Sequence, residues 1–484
     1  MKYKLLSFIL LFIIPFQLFS QISAEKKLRD CVESLCNDKK LKGSLFSMKL
    51  INCETGATVF EYQPDRKLIP ASIQKLLTAG IALENLGKNH VFSTTVSCDG
   101  YISADSSLYG NVYIAGGGDP TFCSEKFLKI ATDTLFEQIL SSFFNAGFYK
   151  INGKIIIDDS YFNGKHNVSE PVHPSWEWED IGNYYGAGVY GLNFNENTFT
   201  VKVSCSDNSV IDMHCEYPCN EHIMSQLVTD INIVSRDSSA NFSSASSFLS
   251  SNYLIYGEIP VGQTVEINCS MQNPAEVFTF WFNDYLHSRG ITVKNEITAQ
   301  SSEKYVIYEI KSPKLSSIAK SALHTSNNLF SDAIFRNLAR HKTEDPSFSG
   351  AAKTLTKLLK NHKLNVDDIH IVDGSGLSRH NLLTANFMCD YLREIKRSIP
   401  DFNSYLPSPG SENSTLKYFM SNYSGKNRIF LKSGSMTGVL NYAGYIVGKN
   451  GATMCLTVMT NNFLCKTRDL RPKLEHLISL AAEL

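Results

Sequence analysis

The stretch Pro70-Ala71-Ser72-Ile73-Gln74-Lys75-Leu76-Leu77-Thr78-Ala79-Gly80-Ile81-Ala82-Leu83 sets a serine and a lysine at the head of an apolar segment. Residues three apart share one face of a helix, so hydroxyl and amine point the same way. The segment is apolar nearly all round, which is the pattern of a helix buried inside a core. Desolvation and neighbouring cations lower the pKa of a lysine drawn into such a core. The neutral amine can then accept the Ser72 proton as the oxygen attacks a carbonyl. The same Ser-x-x-Lys spacing recurs at Ser23/Lys26, Ser301/Lys304, Ser317/Lys320 and Ser414/Lys417, and those read as solvated helix starts.

On the N-terminal side, residues 25–41 read as a helix. Ser44–Asn52 and Ala57–Tyr62 read as a hairpin about Cys53-Glu54-Thr55-Gly56. At the far end, Arg428–Lys432, Val439–Val447 and Ala452–Thr460 read as strands, and Leu470–Leu484 as an amphipathic helix. Neither end holds a complete sheet, so the hairpin is expected to complete the sheet begun by the last three strands. Between the ends lies a largely β insertion with Gly and Asp turns. It includes a serine-rich stretch, Ser235–Ser251, that reads as solvated linker. The domain reading is therefore a catalytic domain in two parts, 25–88 and 305–484, around an insertion of 89–304. Helices dominate 313–397, and the class is α/β (α+β).

Met1-Lys2-Tyr3-Lys4 followed by the apolar run Leu5–Phe19 reads as a secretory signal peptide over 1–20, cut after Ser20 or after Ala24. The run is short for a membrane span. A net charge of −1 gives no ground for a nucleic-acid partner. Twelve cysteines in an exported chain allow disulfides, with Cys205, Cys215, Cys219 and Cys269 the expected pairing set. His214-Cys215 and Cys219…His222 fit no zinc spacing, so neither a metal nor a cofactor is expected. Gly116-Gly117-Gly118-Asp119-Pro120-Thr121 lacks the Lys-Ser/Thr of a phosphate loop and reads as a tight turn.

Two further clusters complete a constellation. Lys432-Ser433-Gly434-Ser435-Met436 ends a strand with a cation and hydroxyls facing a substrate carboxylate, and Gly434 leaves the strand edge open to a ligand backbone. For a Ser-x-Asn element, Ser326-Asn327-Asn328 is preferred over Ser206-Asp207-Asn208. It sits between two helical segments, where a loop can aim a hydroxyl and an amide into a cleft.

With Ser-x-x-Lys, Ser-x-Asn and Lys-Ser-Gly in this order, the chain resembles the serine penicillin-recognising enzymes. More closely it resembles the D-alanyl-D-alanine carboxypeptidase/endopeptidase family, peptidase family S13, the class C low-molecular-mass penicillin-binding proteins. The strings that carry the resemblance are Gly-Gly-Gly-Asp-Pro-Thr (116–121), Asp373-Gly374-Ser375-Gly376-Leu377-Ser378-Arg379-His380-Asn381 and Lys432 through Gly444, together with the long insertion. Asn327 stands where an aspartate is common, and Ser433 where a threonine is common.

The resemblance implies a penicillin-binding transpeptidase-like domain with a five-stranded antiparallel sheet flanked by helices, an all-helical subdomain and the β insertion. It also implies a periplasmic peptidase acting on peptidoglycan stem peptides, with β-lactams as covalent inhibitors. Ser72 would be the nucleophile and Lys75 the base. Ser326 would relay a proton with Lys432 beside it, and Asn328 would orient the substrate amide. The backbone N–H groups of Ser72 and Ser435 would form the oxyanion hole. Lys432 and Ser433 would hold the terminal carboxylate, and Arg379 and Met436 would line the side-chain pocket. Asp158 or Asp159, with Trp176 nearby, would meet a free amine of the stem peptide. Two rivals stand beside this reading: a β-lactamase or esterase using the same site, and a non-catalytic cell-wall-binding or β-lactam-sensing protein. Peripheral membrane association and oligomeric state stay open.

Overall fold

The computed structural model describes residues 25–164, 170–206, 210–218, 221–247, 250–294 and 303–484. The signal-peptide reading over 1–20, the rival string at Asp207-Asn208, and Cys219 all fall outside the described residues. The described residues divide into two compact units, one from within 25–85, 319–326 and 355–484, the other from within 86–318 and 327–354.

In the first unit the hairpin and the tail strands make one five-stranded antiparallel sheet. Its order is Ile429–Met436, Val439–Val447, Thr453–Asn461, Leu45–Asn52, Thr58–Tyr62. The two ends of the chain thus meet at the pairing of Leu45–Asn52 with Thr453–Asn461, where Leu50 faces Leu456 and Met48 faces Val458. The central strands are buried on both faces, which is why they read as near-continuous apolar runs. A helix over 25–36 buries Leu28 and Val32 in one core, where Leu474 and Ile478 of the helix Thr467–Ala482 also lie. The helix Ala385–Ser398 packs on the central strands, and the Tyr445 hydroxyl donates to the Leu392 carbonyl at 2.7 Å. Its Tyr391 hydroxyl donates to the Leu76 carbonyl at 2.7 Å, which docks it on the helix Lys75–Leu86.

The second unit is built of small sheets and the long helices Thr132–Ala146, Pro274–Ser288 and Asn328–Thr343. Tyr305–Lys311, Ser93–Cys98, Val112–Ala115 and Ile155–Asp158 form one four-stranded sheet in that order, and Thr292–Val293, Lys150–Ile151, Ser107–Tyr109 and Tyr101–Ile102 another. Two three-stranded sheets lie between residues 198 and 270. An aromatic core, including Phe136 and Phe143 of Thr132–Ala146 and Phe278 and Phe282 of Pro274–Ser288, holds these pieces together. Residues 305–318 go with this unit because Tyr305–Lys311 pairs with Ser93–Cys98. The sequence placed them, and 327–354, with the catalytic part.

Two expectations are corrected. The serine-rich stretch is not a solvated linker: Asn241–Ser247 is a strand paired with Ser250–Pro260. Its Ser244 is buried and donates to the Gly182 carbonyl at 2.8 Å. Small hydroxylated side chains fit a close-packed sheet once backbone acceptors lie in reach. Nor does the expected cysteine set pair as a whole. Cys205 and Cys269 are free and buried, whereas Cys215 is disulfide-bonded. Among the described residues no helix is long and apolar enough to cross a membrane, and no group of three His, Cys, Asp or Glu is placed to hold a metal ion.

Candidate active site

Ser72 lies on a short 3-10 turn, Ala71–Gln74, that runs directly into the α-helix Lys75–Leu86. Ala71 sits at φ 47°, in the left-handed region a non-glycine residue rarely adopts. That backbone persists only where the surroundings hold it, and here they do. The Asn441 amide donates to the carbonyls of Ile69 (2.9 Å) and Pro70 (2.8 Å), while Asn461 accepts from the Ile69 N–H at 2.7 Å. Both asparagines are buried on the central strands. The sheet therefore grips the two residues before the strained alanine.

A second cradle holds the turn from another direction. The buried Asp373 carboxylate accepts from the N–H of Gly376 (2.7 Å), the N–H of Ser378 (2.8 Å) and the Asn381 amide (2.9 Å). This folds Asp373–Ser378 into a tight loop whose carbonyls face the Ser72 helix. Thr78 donates to the Gly374 carbonyl at 2.7 Å, and Lys75 donates to the Ser375 carbonyl at 2.6 Å. Gly376 has φ +80°, and a Cβ on it would meet the Ala71 carbonyl oxygen at 2.1 Å.

Within this frame the Lys75 Nζ donates to the Ser72 Oγ at 2.9 Å, with the amine buried. The Lys432 Nζ, also buried, donates to the Ser326 Oγ at 3.0 Å and to the Ser433 carbonyl at 2.7 Å. Burial, with the Lys75 charge adding to it, pushes the Lys432 amine well below its ordinary range. Ser326 takes a left-handed backbone, φ 63°, at the end of the helix Leu315–Thr325. Asn327 then caps the helix Asn328–Thr343, its side chain accepting from the Phe330 N–H at 3.0 Å. The Ser-x-Asn string is thus the joint between two helices, and the joint leaves the Ser326 hydroxyl pointing at Lys432.

Along the strand Ile429–Met436, the Ser433 hydroxyl donates to the Thr415 Oγ1 at 2.7 Å. The Thr415 N–H donates to the His324 carbonyl at 3.0 Å. Gly434 has a reason beyond the one the sequence suggested: a Cβ there would meet the Pro70 carbonyl at 2.6 Å and the Ser72 nitrogen at 3.0 Å. The glycine lets the nucleophile's turn lie against the strand. Ser435 is exposed and Met436 half-exposed at the strand's end. Arg379 spans to the Thr437 carbonyl with two N–H groups, each at 3.2 Å.

The first unit thus brings together Ser72, Lys75, Ser326 and Lys432, with Ser433, Gly434, Ser435, Met436 and Arg379 on the adjoining strand and loop. Asn328, Asp158 and Asp159 belong to the second unit. The Asn328 amide donates to the Tyr185 carbonyl at 2.8 Å. Asp158 is exposed and accepts from the Ser160 hydroxyl at 2.6 Å. Asp159 is half-buried, its pKa raised by burial and by the Asp158 charge. Trp176 is buried against the Phe348 ring, a packing role. Sequence reasoning passed over Asn441, Asn461 and the Ser375 carbonyl. The available signal was an asparagine inside one otherwise apolar strand and at the buried end of another.

A family model described as the D-Ala-D-Ala carboxypeptidase 3 (S13) family matches residues 28–484. The chain belongs to that family. As an S13 member its enzyme class is serine-type D-Ala-D-Ala carboxypeptidase. Among curated proteins it is similar to a D-alanyl-D-alanine carboxypeptidase of Actinomadura sp. (strain R39). The two are 23% identical over 88% of this chain and 79% of the relative. It is also similar to D-alanyl-D-alanine carboxypeptidase DacB of Haemophilus influenzae, 23% identical over 87% of this chain and 86% of that protein. Among solved structures, penicillin binding protein 4 (dacB) from Haemophilus influenzae shares the fold. That match has a TM-score of 0.79, 19% identity, and coverage of 94% of this chain and 99% of that one.

Proposed function

We propose that this S13 enzyme is an exported, periplasmic peptidase acting on peptidoglycan. It removes the terminal residue of D-alanyl-D-alanine stems as a carboxypeptidase, opens D-alanyl-diaminopimelate cross-links as an endopeptidase, or does both. One observation carries the reading: the Lys75 amine bonds the Ser72 hydroxyl at 2.9 Å while a second buried lysine, Lys432, bonds the Ser326 hydroxyl at 3.0 Å.

Ser72 attacks the carbonyl of the penultimate D-alanine and Lys75 accepts its proton. The backbone N–H groups of Ser72 and Ser435 stabilise the oxyanion; one such donor is worth about 10²–10³ in rate. Ser326, bonded to Lys432, passes a proton to the leaving amine. The depressed pKa of Lys432 suits it to exchange that proton rather than keep it. The terminal carboxylate rests against Lys432 and Ser433, and Asn328 orients the substrate amide. Met436 and Arg379 meet the stem's side chain, with Asp158 or Asp159 receiving a free amine. Water then releases the acyl group. A β-lactam presents the same carbonyl and carboxylate and acylates Ser72 in the same way. The same solved relative has been determined in complex with a β-lactam.

Incubation with a fluorescent penicillin tests this. The protein takes up a covalent label, and Ser72→Ala removes both the label and D-alanine release from a D-Ala-D-Ala peptide, a fall of about 10⁴-fold or more. An unlabelled parent protein overturns the reading in favour of a binding module, and a label shed within seconds points to a β-lactamase. Mass spectrometry of digests of treated sacculi reads out stem trimming against cross-link cleavage.

A further inference from the structure

Glu196 takes no part in the chemistry above, yet its carboxylate ends on the Ser-x-Asn string. Its Oε2 accepts from the Asn327 amide at 2.9 Å and its Oε1 from the Ser124 hydroxyl at 2.7 Å, all three residues lying in the second unit. The backbone beneath it is costly. Asn195, Glu196 and Asn197 stand at φ 48°, 57° and 52°, three consecutive residues in the left-handed region. Asparagine enters that region readily and glutamate does not, so the strain at Glu196 points to a duty for its side chain. The run is clipped to the turn Gly116–Thr121 and the residues after it. The Asn193 amide donates to the Asp119 carbonyl at 3.1 Å, and the Asn195 N–H to the Phe122 carbonyl at 3.1 Å. The Ser124 N–H donates to the Thr121 carbonyl at 3.0 Å. Asn197 closes the other side, its amide donating to the Gly188 carbonyl at 2.8 Å and to the Asn193 Oδ1 at 2.7 Å. The turn thus sets Ser124 and Glu196 side by side.

We propose that Glu196 is a positioning residue for the Ser-x-Asn string, acting through Asn327. The inference rests on the proton-relay role of Ser326 proposed above. Both ends of the Asn327 amide are taken. Its Oδ1 accepts from the Phe330 N–H and caps the helix Asn328–Thr343, and its Nδ2 is held by Glu196. A side chain bonded at both ends has one rotamer left, and the helix it caps has one starting point. The two residues that act on the substrate, Ser326 and Asn328, flank Asn327 directly in the chain. Ser326 itself stands at φ 63°, a backbone that persists only while its neighbours are held. Apolar contact supports the same joint: the Phe127 ring meets the Phe330 ring edge-on at 5.3 Å, and the Phe127 N–H donates to the Ser124 Oγ at 3.1 Å. The direction of the central contact is fixed as well. An ionised carboxylate only accepts, so residue 327 must donate. An aspartate there would bring two carboxylates within hydrogen-bond distance, each opposing the other's charge.

The test uses the whole enzyme and reads two quantities for each variant: kcat for D-alanine release from a D-Ala-D-Ala peptide, and the urea midpoint. Glu196→Ala is expected to lower kcat by up to about 10²-fold, the effect of a reacting group displaced by about 1 Å, with the midpoint close to the parent's. Asn327→Asp should lower kcat in the same way at pH 7. Adding Glu196→Gln to Asn327→Asp reverses the contact, because the new amide donates to the new carboxylate while its oxygen still accepts from Ser124. Most of the lost rate is then expected to return. A Glu196→Ala enzyme as fast as the parent overturns the proposal. So does a double variant no faster than Asn327→Asp, which decides the matter even where Glu196→Ala fails to fold. Ser326→Ala separates this inference from the one beneath it. Parent rates in Ser326→Ala would overturn the relay and the proposal with it, whereas a slow Ser326→Ala beside a normal Glu196→Ala would overturn the positioning role alone.

Discussion

The surroundings of Ser72 and the loops of the second unit both bury polar side chains, but for different ends. In the second unit the buried groups are closed. Arg336, fully buried on the helix Asn328–Thr343, donates to the carbonyls of Pro346 (2.7 Å), Glu170 (2.8 Å), Phe162 (2.7 Å) and Val189 (3.3 Å). Its guanidinium pins four chain segments through acceptors that strands and helices left unused. Asp119 does the same on a smaller scale, bonding the N–H and hydroxyl of Thr121 at 2.8 and 2.7 Å. Near Ser72 the buried groups end on something reactive instead. Asn441 and Asn461 grip backbone carbonyls and an N–H, but the chain of contacts finishes at two amines, each bonded to a hydroxyl. Two lysines buried close together are poor for stability, because each disfavours the other's charge. Their presence identifies a site where stability yields to chemistry.

That contrast can be broken experimentally. The largest effect is expected at Arg336. Arg336→Met leaves several buried carbonyls without donors at about 1–3 kcal/mol each, so most of the folding free energy is lost. Urea denaturation measures it, and a variant as stable as the parent would erase the distinction. Lys75→Met should do the reverse. D-alanine release and penicillin acylation fall about 10³-fold, the middle of the range for a general base, while the urea midpoint moves little.

Asp119 sharpens the comparison through pH. Burial raises its carboxyl from 3.8 to about 6 in the folded chain. The folded state therefore holds the proton more tightly than the unfolded one. The buried carboxyl costs nothing below pH 4, and stability falls as pH rises through 4 to 6. Asp119→Asn keeps an acceptor for Thr121 and removes the charge. Its stability gain over the parent is expected to be near zero at pH 4 and at most about 3 kcal/mol at pH 7. A gain independent of pH would mean that the carboxyl is not the titrating group. The smallest change is Asn441→Ala. It strips partners from the carbonyls of Ile69 and Pro70 and from the Thr460 N–H, at about 2 kcal/mol, and loosens the Ser72 turn. A drop in acylation rate with little change in penicillin affinity would mark it as a positioning residue. Loss of stability alone would make it only a structural one.

Much of this was legible in the chain itself. Apolar runs marked the five strands of the first sheet, the central ones most clearly, because strands buried on both faces carry few polar positions to blur the pattern. The motifs at Ser72, Ser326 and Lys432 stood out because their side chains are chemically unusual for where they lie. Other features depend on backbone-to-backbone approach, which spacing cannot encode. The near contact that makes position 434 a glycine joins residues more than 300 apart in sequence. The serine-rich strand was misread because serine carries the same local signal in a solvated loop as in a tightly packed sheet.

The sequence by itself determined which side chains can act as nucleophile, base and proton relay, since those are properties of residue types and their local spacing. It also determined that the two ends of the chain share a sheet, because neither end could bury its apolar strands alone. Only the tertiary structure decided that Asn441, Asn461 and the Ser375 carbonyl hold the reactive turn. Those relations are distances between segments far apart in the chain. They exist only once the hydrophobic collapse of the sheet has closed the loops between them.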